Sequence, residues 1–382
     1  MHFETKAIHI GSKPDEATGA LAPPLYMTST YAQEEIGTNK GFAYSRVNHP
    51  NYVRLEQNLA SLEQAEYATV FSSGMAATDA VLSKLRPNEK ILISSDLYGG
   101  TTRYLRTISE PIGIHILEVD ITKLQEVKKL LQEHRPKLLF AESISNPLLV
   151  VSDVKALAEL AHQFGTELII DNTFATPYFL NPLALGADGV IHSSSKYLGG
   201  HSDLIGGAFV TNKKEWKDHS DAIRKIRGTN PSPFDVWLTQ RSIKTLALRM
   251  DRHEANAKKI AEFFNGHPLV KNIYYPGLEK HQTHSVAKEH LSGFGGVISV
   301  EFNLTFEQTK QLITFFKYFT LAESLGGVES MVAHPATMSH GSLTPEQRQH
   351  LGITDGLLRF SIGIEKSEDL ISDLEETLSR FT

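Results

Sequence analysis

The sequence predicts an α/β fold: a mainly parallel sheet, preceded by an extended N-terminal arm and followed by a smaller α+β unit. Three observations carry this. Short apolar runs alternate with amphipathic stretches between about residues 68 and 211, the pattern of a parallel sheet covered on both faces. Residues 1–60 are polar and interrupted by prolines, so they lack the means to build a core of their own. Beyond about 246 the strands are spaced differently and two helical patterns close the chain. The predicted units are 1–60 (arm and oligomer contact), 61–245 (sheet and ligand site) and 246–382 (α+β).

Each element has a local reason. Pro23-Pro24 and Gly37-Thr38-Asn39-Lys40-Gly41 discourage regular structure in the arm. Val53, Leu55, Leu59 and Leu62 fall near helical spacing, predicting a helix over about 52–66. Ala68-Thr69-Val70-Phe71 reads as a strand running into Ser72-Ser73-Gly74-Met75, where serine caps a helix that continues to Leu85 and stops at Arg86-Pro87. Further strands are predicted at 90–95, 114–119, 138–141, 168–171, 188–192 and 204–211. Helices are predicted after Asp96-Leu97-Tyr98-Gly99-Gly100-Thr101 to about Pro111, over 122–134 and over 152–164. A helical region covers about 233–265 and is broken somewhere within it. After it come strands at 270–275, 296–302, 319–322 and 357–363, with helices over 306–317 and 367–380.

Composition narrows the function. The net charge of −6 argues against non-specific binding to nucleic acid or anionic membranes. With no cysteine, there is no disulfide framework, no thiolate nucleophile and no cysteine-ligated metal. No leader-like segment opens the chain, and no run approaches the ~20 apolar residues of a membrane span, so a cytoplasmic protein is expected. His281-Gln282-Thr283-His284 has two histidines three apart, which are read as surface residues rather than metal ligands.

Ligands of parallel sheets bind beyond the carboxyl ends of the strands. The polar clusters at Ser72, Tyr98, Asn146 and Asp171 each follow an apolar run, so they are expected to meet on one rim. The Ser73-Gly74-Met75 helix start offers free N–H groups to a phosphate. Lys196 follows a predicted strand behind Ser193-Ser194-Ser195, and Asp171 ends the run before it. A lysine able to condense with an aldehyde, and an aspartate able to pair with a pyridinium nitrogen, are the two protein groups that pyridoxal 5'-phosphate requires. Tyr98 can stack on the ring, and Arg359 can pair with a substrate carboxylate.

These segments resemble, in order and along essentially the whole chain, the cystathionine-metabolising family of pyridoxal-phosphate enzymes. The likeness rests on Tyr44-Ser45-Arg46, Ser73-Gly74-Met75-Ala76-Ala77, Asp96-Leu97-Tyr98-Gly99-Gly100-Thr101 and Asp171-Asn172-Thr173-Phe174. It continues in Ser193-Ser194-Ser195-Lys196-Tyr197, Glu323-Ser324-Leu325-Gly326-Gly327 and Arg359-Phe360-Ser361-Ile362-Gly363. The resemblance implies a fold-type I, aspartate-aminotransferase-like architecture. It implies that Lys196 carries the cofactor and shuttles protons, that Asp171 holds the ring nitrogen and that Tyr98 stacks. Gly74, Met75, Ser193 and Ser195 would bind the phosphate. Tyr44 and Arg46 would reach the phosphate in a neighbouring subunit, within a homotetramer built as a dimer of dimers. Asn146, Ser324 and Arg359 would hold the substrate carboxylate or the cofactor's phenolate side, with Arg103 and Glu323 near the distal end of the substrate.

Two departures stand out: Asn48-His49-Pro50-Asn51 replaces the family's usual Asn-Pro-Thr, and Ile144 stands where proline is frequent. Methionine γ-lyases usually carry cysteine where this chain has Gly100. The acid Glu323 resembles the γ-acting members, whereas β-lyases tend to have an uncharged residue there. The expected reaction is γ-elimination from L-cystathionine to cysteine, 2-oxobutanoate and ammonia. The alternative is γ-replacement on an O-acyl-L-homoserine by cysteine; homocysteine or methionine γ-elimination and cystathionine β-elimination rank lower. An NAD-dependent dehydrogenase is disfavoured, because Ser72-Ser73-Gly74-Met75-Ala76-Ala77 is not G-x-G-x-x-G.

Overall fold

The computed structural model describes residues 1–341 and 343–381; Ser342 and Thr382, both in the expected C-terminal unit, lie outside the described residues. The first sheet comprises β1 (Tyr67–Phe71), β2 (Lys90–Ser94), β3 (His115–Val119), β4 (Leu138–Glu142), β5 (Glu167–Asp171), β6 (Gly189–Ser193) and β7 (Gly207–Thr211). Their order is β1-β7-β6-β5-β4-β2-β3. Only β7 runs against its neighbours β1 and β6; the remaining pairs are parallel. The carboxyl ends of β1, β2, β4, β5 and β6 therefore open on one side.

Alternate residues of these strands feed two apolar layers. Leu92, Leu139, Leu168, Ile170 and Val190 pack into one; Ile91, Ile93, Phe140, Ile169 and Ile191 pack into the other. Burial on both faces is why the strands read as continuous apolar runs. Each fully buried side chain of this size contributes about 1.5–3 kcal/mol.

The arm is less bare than expected. α1 (Phe3–His9) forms, and α2 (Pro50–Leu62) starts two residues early. Pro50 suits the first helical position because its missing N–H has no partner there, and His49 caps the turn by accepting the Asn51 N–H at 3.1 Å. Asn58 on α2 holds α1 by donating to the carbonyls of Lys6 and Ile10 at 3.1 and 2.9 Å.

The sheet is covered by α3 (Gly74–Leu82), α4 (Gly99–Tyr104), α5 (Leu124–His134), α6 (Val154–Gln163), α7 (Thr176–Phe179) and α8 (Lys214–Arg227). α3 stops at Leu82, short of the expected Leu85. The expected helix to about 111 is instead α4 followed by a π-turn (Leu105–Ser109) and a 3₁₀ turn (Glu110–Ile112). α8 had no counterpart in the sequence reading. Its inward face is Trp216, Ser220 and Arg224, so burial here does not follow apolarity.

The helical region past 233 breaks into α9 (Pro233–Ile243) and α10 (Leu246–Phe264). A second sheet follows, with β8 (Val270–Tyr274), β9 (Val297–Phe302), β10 (Thr320–Leu321), β11 (Met331–Ala333) and β12 (Leu357–Ser361) in the order β10-β11-β12-β9-β8. It packs Phe302, Phe319 and Phe360 against Phe264 of α10. β11 was not anticipated, nor were α11 (His284–His290) and α13 (Pro345–His350); α12 (Phe306–Ile313) and α14 (Ser367–Leu378) were. His281 is buried rather than on the surface. Its Nε2 faces the Leu148 carbonyl at 3.3 Å, and His284 Nδ1 faces the Pro276 carbonyl at 2.8 Å.

Candidate active site

The loop after β6 carries Lys196 inward. Arg249 on α10 ties this loop down, donating to the Tyr197 carbonyl at 2.7 Å and the Ser242 carbonyl at 3.1 Å. Lys196 Nζ donates to Ser324 Oγ at 2.5 Å. Burial, then the charge of Arg359, brings the Lys196 ammonium down to about 8, against a smaller opposing pull from Glu323. The free amine thus grows from about a tenth at pH 7 to about half at pH 8, and the free form is what a nucleophile and general base needs.

Ser324 is held in a left-handed backbone conformation with φ of +94°. For a residue other than glycine this costs of order 1–3 kcal/mol, and such strain gathers at functional sites. The conformation is pinned from both sides: Arg359 Nη2 donates to the Ser324 carbonyl at 2.7 Å, and the Gly326 N–H donates to Ser361 Oγ at 2.8 Å. Arg359 Nη1 donates to Asn146 Oδ1 at 2.7 Å, while its buried Nε has no partner among the described residues. Burial lowers Arg359 to about 10. Lys196, Ser324, Arg359 and Asn146 thus form one cluster, with Glu323 within electrostatic reach of both cations.

A second cluster joins β5 to β6. Asp171 Oδ1 accepts from the Thr173 N–H at 3.0 Å and from Thr173 Oγ1 at 2.5 Å. The same hydroxyl accepts the Ser193 N–H at 2.8 Å. Burial pushes the Asp171 carboxyl up, and the Thr173 hydrogen bonds oppose this. Beside it on β4, Glu142 accepts the Tyr98 N–H at 2.5 Å, which fixes the backbone where the Tyr98 ring departs. Gly100 leaves that ring its space: a Cβ there would lie 2.3 Å from Tyr98 Cε1.

The third cluster is the start of α3. Ser73 Oγ accepts the Ala76 N–H at 3.0 Å, leaving the Gly74 and Met75 N–H groups at the open end of the helix. A Cβ at Gly74 would come within 2.9 Å of Ser193 Cβ, so glycine lets the helix end close on the serine. Ser195 lies alongside, but its hydroxyl is engaged with Gly206, whose N–H it accepts at 3.0 Å.

Three residues named from the sequence stand outside these clusters. Arg103 is exposed on α4. Tyr44 is 45% exposed in the arm, and Arg46 donates to the Lys225 carbonyl at 2.9 Å. Conversely, Glu142 and Thr173 received no role from the sequence. Glu142 did carry a signal, since it is an acid at the end of an apolar run, as Asp171 is. Thr173 lay in a segment that carried the family likeness, but nothing local marked its own part, which lies in touching two strands at once.

The residues present fit pyridoxal 5'-phosphate. They supply a half-buried amine brought down toward neutrality, a half-buried carboxyl paired with no lysine or arginine among the described residues, and an open helix end braced on a serine. Fold and site together define a pyridoxal-phosphate-dependent enzyme of the fold-type I class.

Comparison with known proteins narrows this. Residues 4–379 match the family described as Cys/Met metabolism PLP-dependent enzyme, and the chain belongs to that family. It is 45% identical to a cystathionine beta-lyase of Lactococcus lactis subsp. cremoris, covering 99% of both chains. It is 43% identical to a cystathionine gamma-lyase of Bacillus subtilis, again over 99% of each. The structure of a cystathionine gamma synthase from Xanthomonas oryzae pv. oryzae, in complex with aminoacrylate and cysteine, superposes with a TM-score of 0.97 at 38% identity. That match covers 100% of this chain and 98% of the other. The family establishes a pyridoxal-phosphate-dependent carbon–sulfur lyase of cystathionine metabolism acting on a small amino acid.

Proposed function

We propose that the reaction is γ-elimination from L-cystathionine, giving cysteine, 2-oxobutanoate and ammonia. The observation that carries this reading is Glu323: it is an exposed acid next to Ser324 whose charge is felt by Lys196 and Arg359, and the distal ammonium of cystathionine would pair with it. An acid in that position disfavours a purely apolar tail.

When bound, pyridoxal 5'-phosphate supplies a ring that accepts the electron pair left by a broken Cα–H bond. Lys196 removes the Cα proton and then serves the Cβ position, and the Tyr98 hydroxyl or Lys196 protonates the departing sulfur. Asp171 keeps the ring nitrogen cationic by ion pairing. Arg359, braced by Asn146 and Ser324, grips the substrate carboxylate. Gly74, Met75, Ser193 and Ser195 bind the phosphate, and Arg103 approaches the distal end of the substrate.

The reading includes an arm (1–60), a cofactor-binding unit (61–245) and a smaller unit (246–382). It also includes a cytoplasmic homotetramer in which Tyr44 and Arg46 reach the neighbouring subunit's phosphate. No described helix is long and apolar enough to cross a membrane. Product analysis tests the reaction. L-Cystathionine alone should yield 2-oxobutanoate and cysteine. Pyruvate and homocysteine would instead indicate β-elimination. Predominant cystathionine formation from an O-acyl-L-homoserine and cysteine would indicate γ-replacement.

A further inference from the structure

Glu142 is a buried acid that the proposed chemistry does not use. It ends β4 with 6% of its surface exposed. In the parallel pairing of β4 with β5, Glu142 stands directly opposite Asp171, and the Ser143 N–H donates to the Asp171 carbonyl at 2.9 Å. Residues paired in this way project to the same face about 5 Å apart, so the two carboxyl groups are neighbours on the rim. The acidic surroundings extend to Asp96, while His192 is the basic group that reaches Asp171. Among the described residues no lysine or arginine pairs with either acid. A buried carboxylate and a half-buried one, adjacent and without a lysine or arginine between them, resist ionising together. Burial first, then the charge of Asp171, pushes Glu142 well above the ordinary carboxylate range.

One oxygen of Glu142 nevertheless has a definite task, accepting the Tyr98 N–H. Tyr98 follows β2, so this contact ties the ends of β2, β4 and β5 together. A neutral carboxylic acid can still make it through its carbonyl oxygen, less strongly than a carboxylate, because only a lone pair is required.

We infer that Glu142 is a positioning residue: it stays protonated beside Asp171 and fixes the Tyr98 backbone, which leaves Asp171 as the single anion facing the ring nitrogen. Glutamine reproduces a neutral Glu142, carbonyl oxygen included, whereas alanine removes the acceptor. This rests on the reading that Asp171 and Tyr98 flank the bound cofactor.

The test compares holoenzyme, Glu142→Ala and Glu142→Gln by three measurements. These are the induced circular dichroism of the cofactor band, the pH midpoint of its visible absorption, and kcat and KM for cystathionine. Glu142→Ala is expected to lose at least half of the induced signal and about tenfold in kcat/KM, the rate equivalent of one misplaced hydrogen bond. Glu142→Gln is expected to rescue the induced signal and to keep the wild-type pH midpoint. A midpoint moved by a pH unit or more in Glu142→Gln means that Glu142 is ionised, which overturns the proposal. So does a Glu142→Ala enzyme with wild-type dichroism and kinetics. If Glu142→Ala does not fold, the midpoint in Glu142→Gln still decides. Asp171→Ala, measured alongside, tests the underlying reading separately: an unchanged cofactor band in that variant removes Asp171 from the ring, whatever the Glu142 variants do.

Discussion

Around Lys196, the polar side chains of the rim brace one another across distant parts of the same chain. Ser324 meets the amine, Arg359 braces Ser324 and Asn146, and Thr173 joins Asp171 to Ser193. Along the arm the situation reverses. Leu21, Met27 and Ile36 are 79%, 69% and 104% exposed, and Tyr44 and Arg46 contact no member of the rim. One region is preorganised by its own fold; the other presents exposed apolar side chains, and an Arg46 guanidinium that meets only the Lys225 carbonyl and the Tyr44 ring, away from the rim. On the proposed reading, four members of the phosphate cradle (Gly74, Met75, Ser193 and Ser195) come from the chain's own rim and two (Tyr44 and Arg46) would come from a second copy.

The largest expected effect lies on the intrinsic side. Lys196→Ala should lower turnover of cystathionine by about 10⁴-fold or more, because it removes both the cofactor attachment and the proton carrier. Borohydride treatment of this variant should leave no covalent cofactor adduct, as read by mass spectrometry.

The second prediction puts the two regions in competition. Lys196→Ala and Arg46→Ala copies are each expected to be nearly inactive alone. After mixing under conditions of subunit exchange, activity should return to about a quarter of wild type. Half of the dimers are then mixed, and one site in each mixed dimer has both an intact lysine and an intact arm. No recovery after verified exchange would mean that the arm serves its own chain's site, or none.

Third comes pH. The Lys196 value in the folded cofactor-free protein, about 8, is depressed from 10.5. Below pH 8 the fold bears the cost of a half-buried ammonium. Between 8 and 10.5 the unfolded chain binds a proton that the native one does not, so stability rises with pH in that window. Relative to Lys196→Met, wild-type apoprotein should gain up to about 3 kcal/mol from pH 8 to 10.5 in denaturant titrations.

The smallest effect probes the margin of the rim. Gly100→Ala should push the Tyr98 ring aside and raise KM about two- to five-fold, roughly 0.5–1 kcal/mol. Thermal stability should change little, since Gly100 lies outside the buried core.

Much of the first sheet was legible because its strands are buried on both faces and so appear as uninterrupted apolar runs. Lys196 and Asp171 were legible as charged residues at or beyond the ends of such runs. What escaped depends on register or on charge pairing. Glu142 gains its meaning only when β4 is laid beside β5, which no local pattern encodes. α8 was missed because Arg224 and Ser220 lie on its inner face, where Arg224 pairs with Glu56 of α2, and hydropathy marks such residues as outward-facing. α1 was missed because so short a helix has little propensity of its own, and Asn58, fifty residues away, holds it.

Thr173 has a consequence of another kind. With one hydroxyl bonded to Asp171 and also to the Ser193 backbone, the two strand tips cannot drift apart separately. On the proposed reading, the distance between the acid that would take the ring nitrogen and the serine that would take the phosphate is therefore fixed, and a molecule whose cationic and anionic ends are spaced differently should be turned away before its chemistry is ever tried.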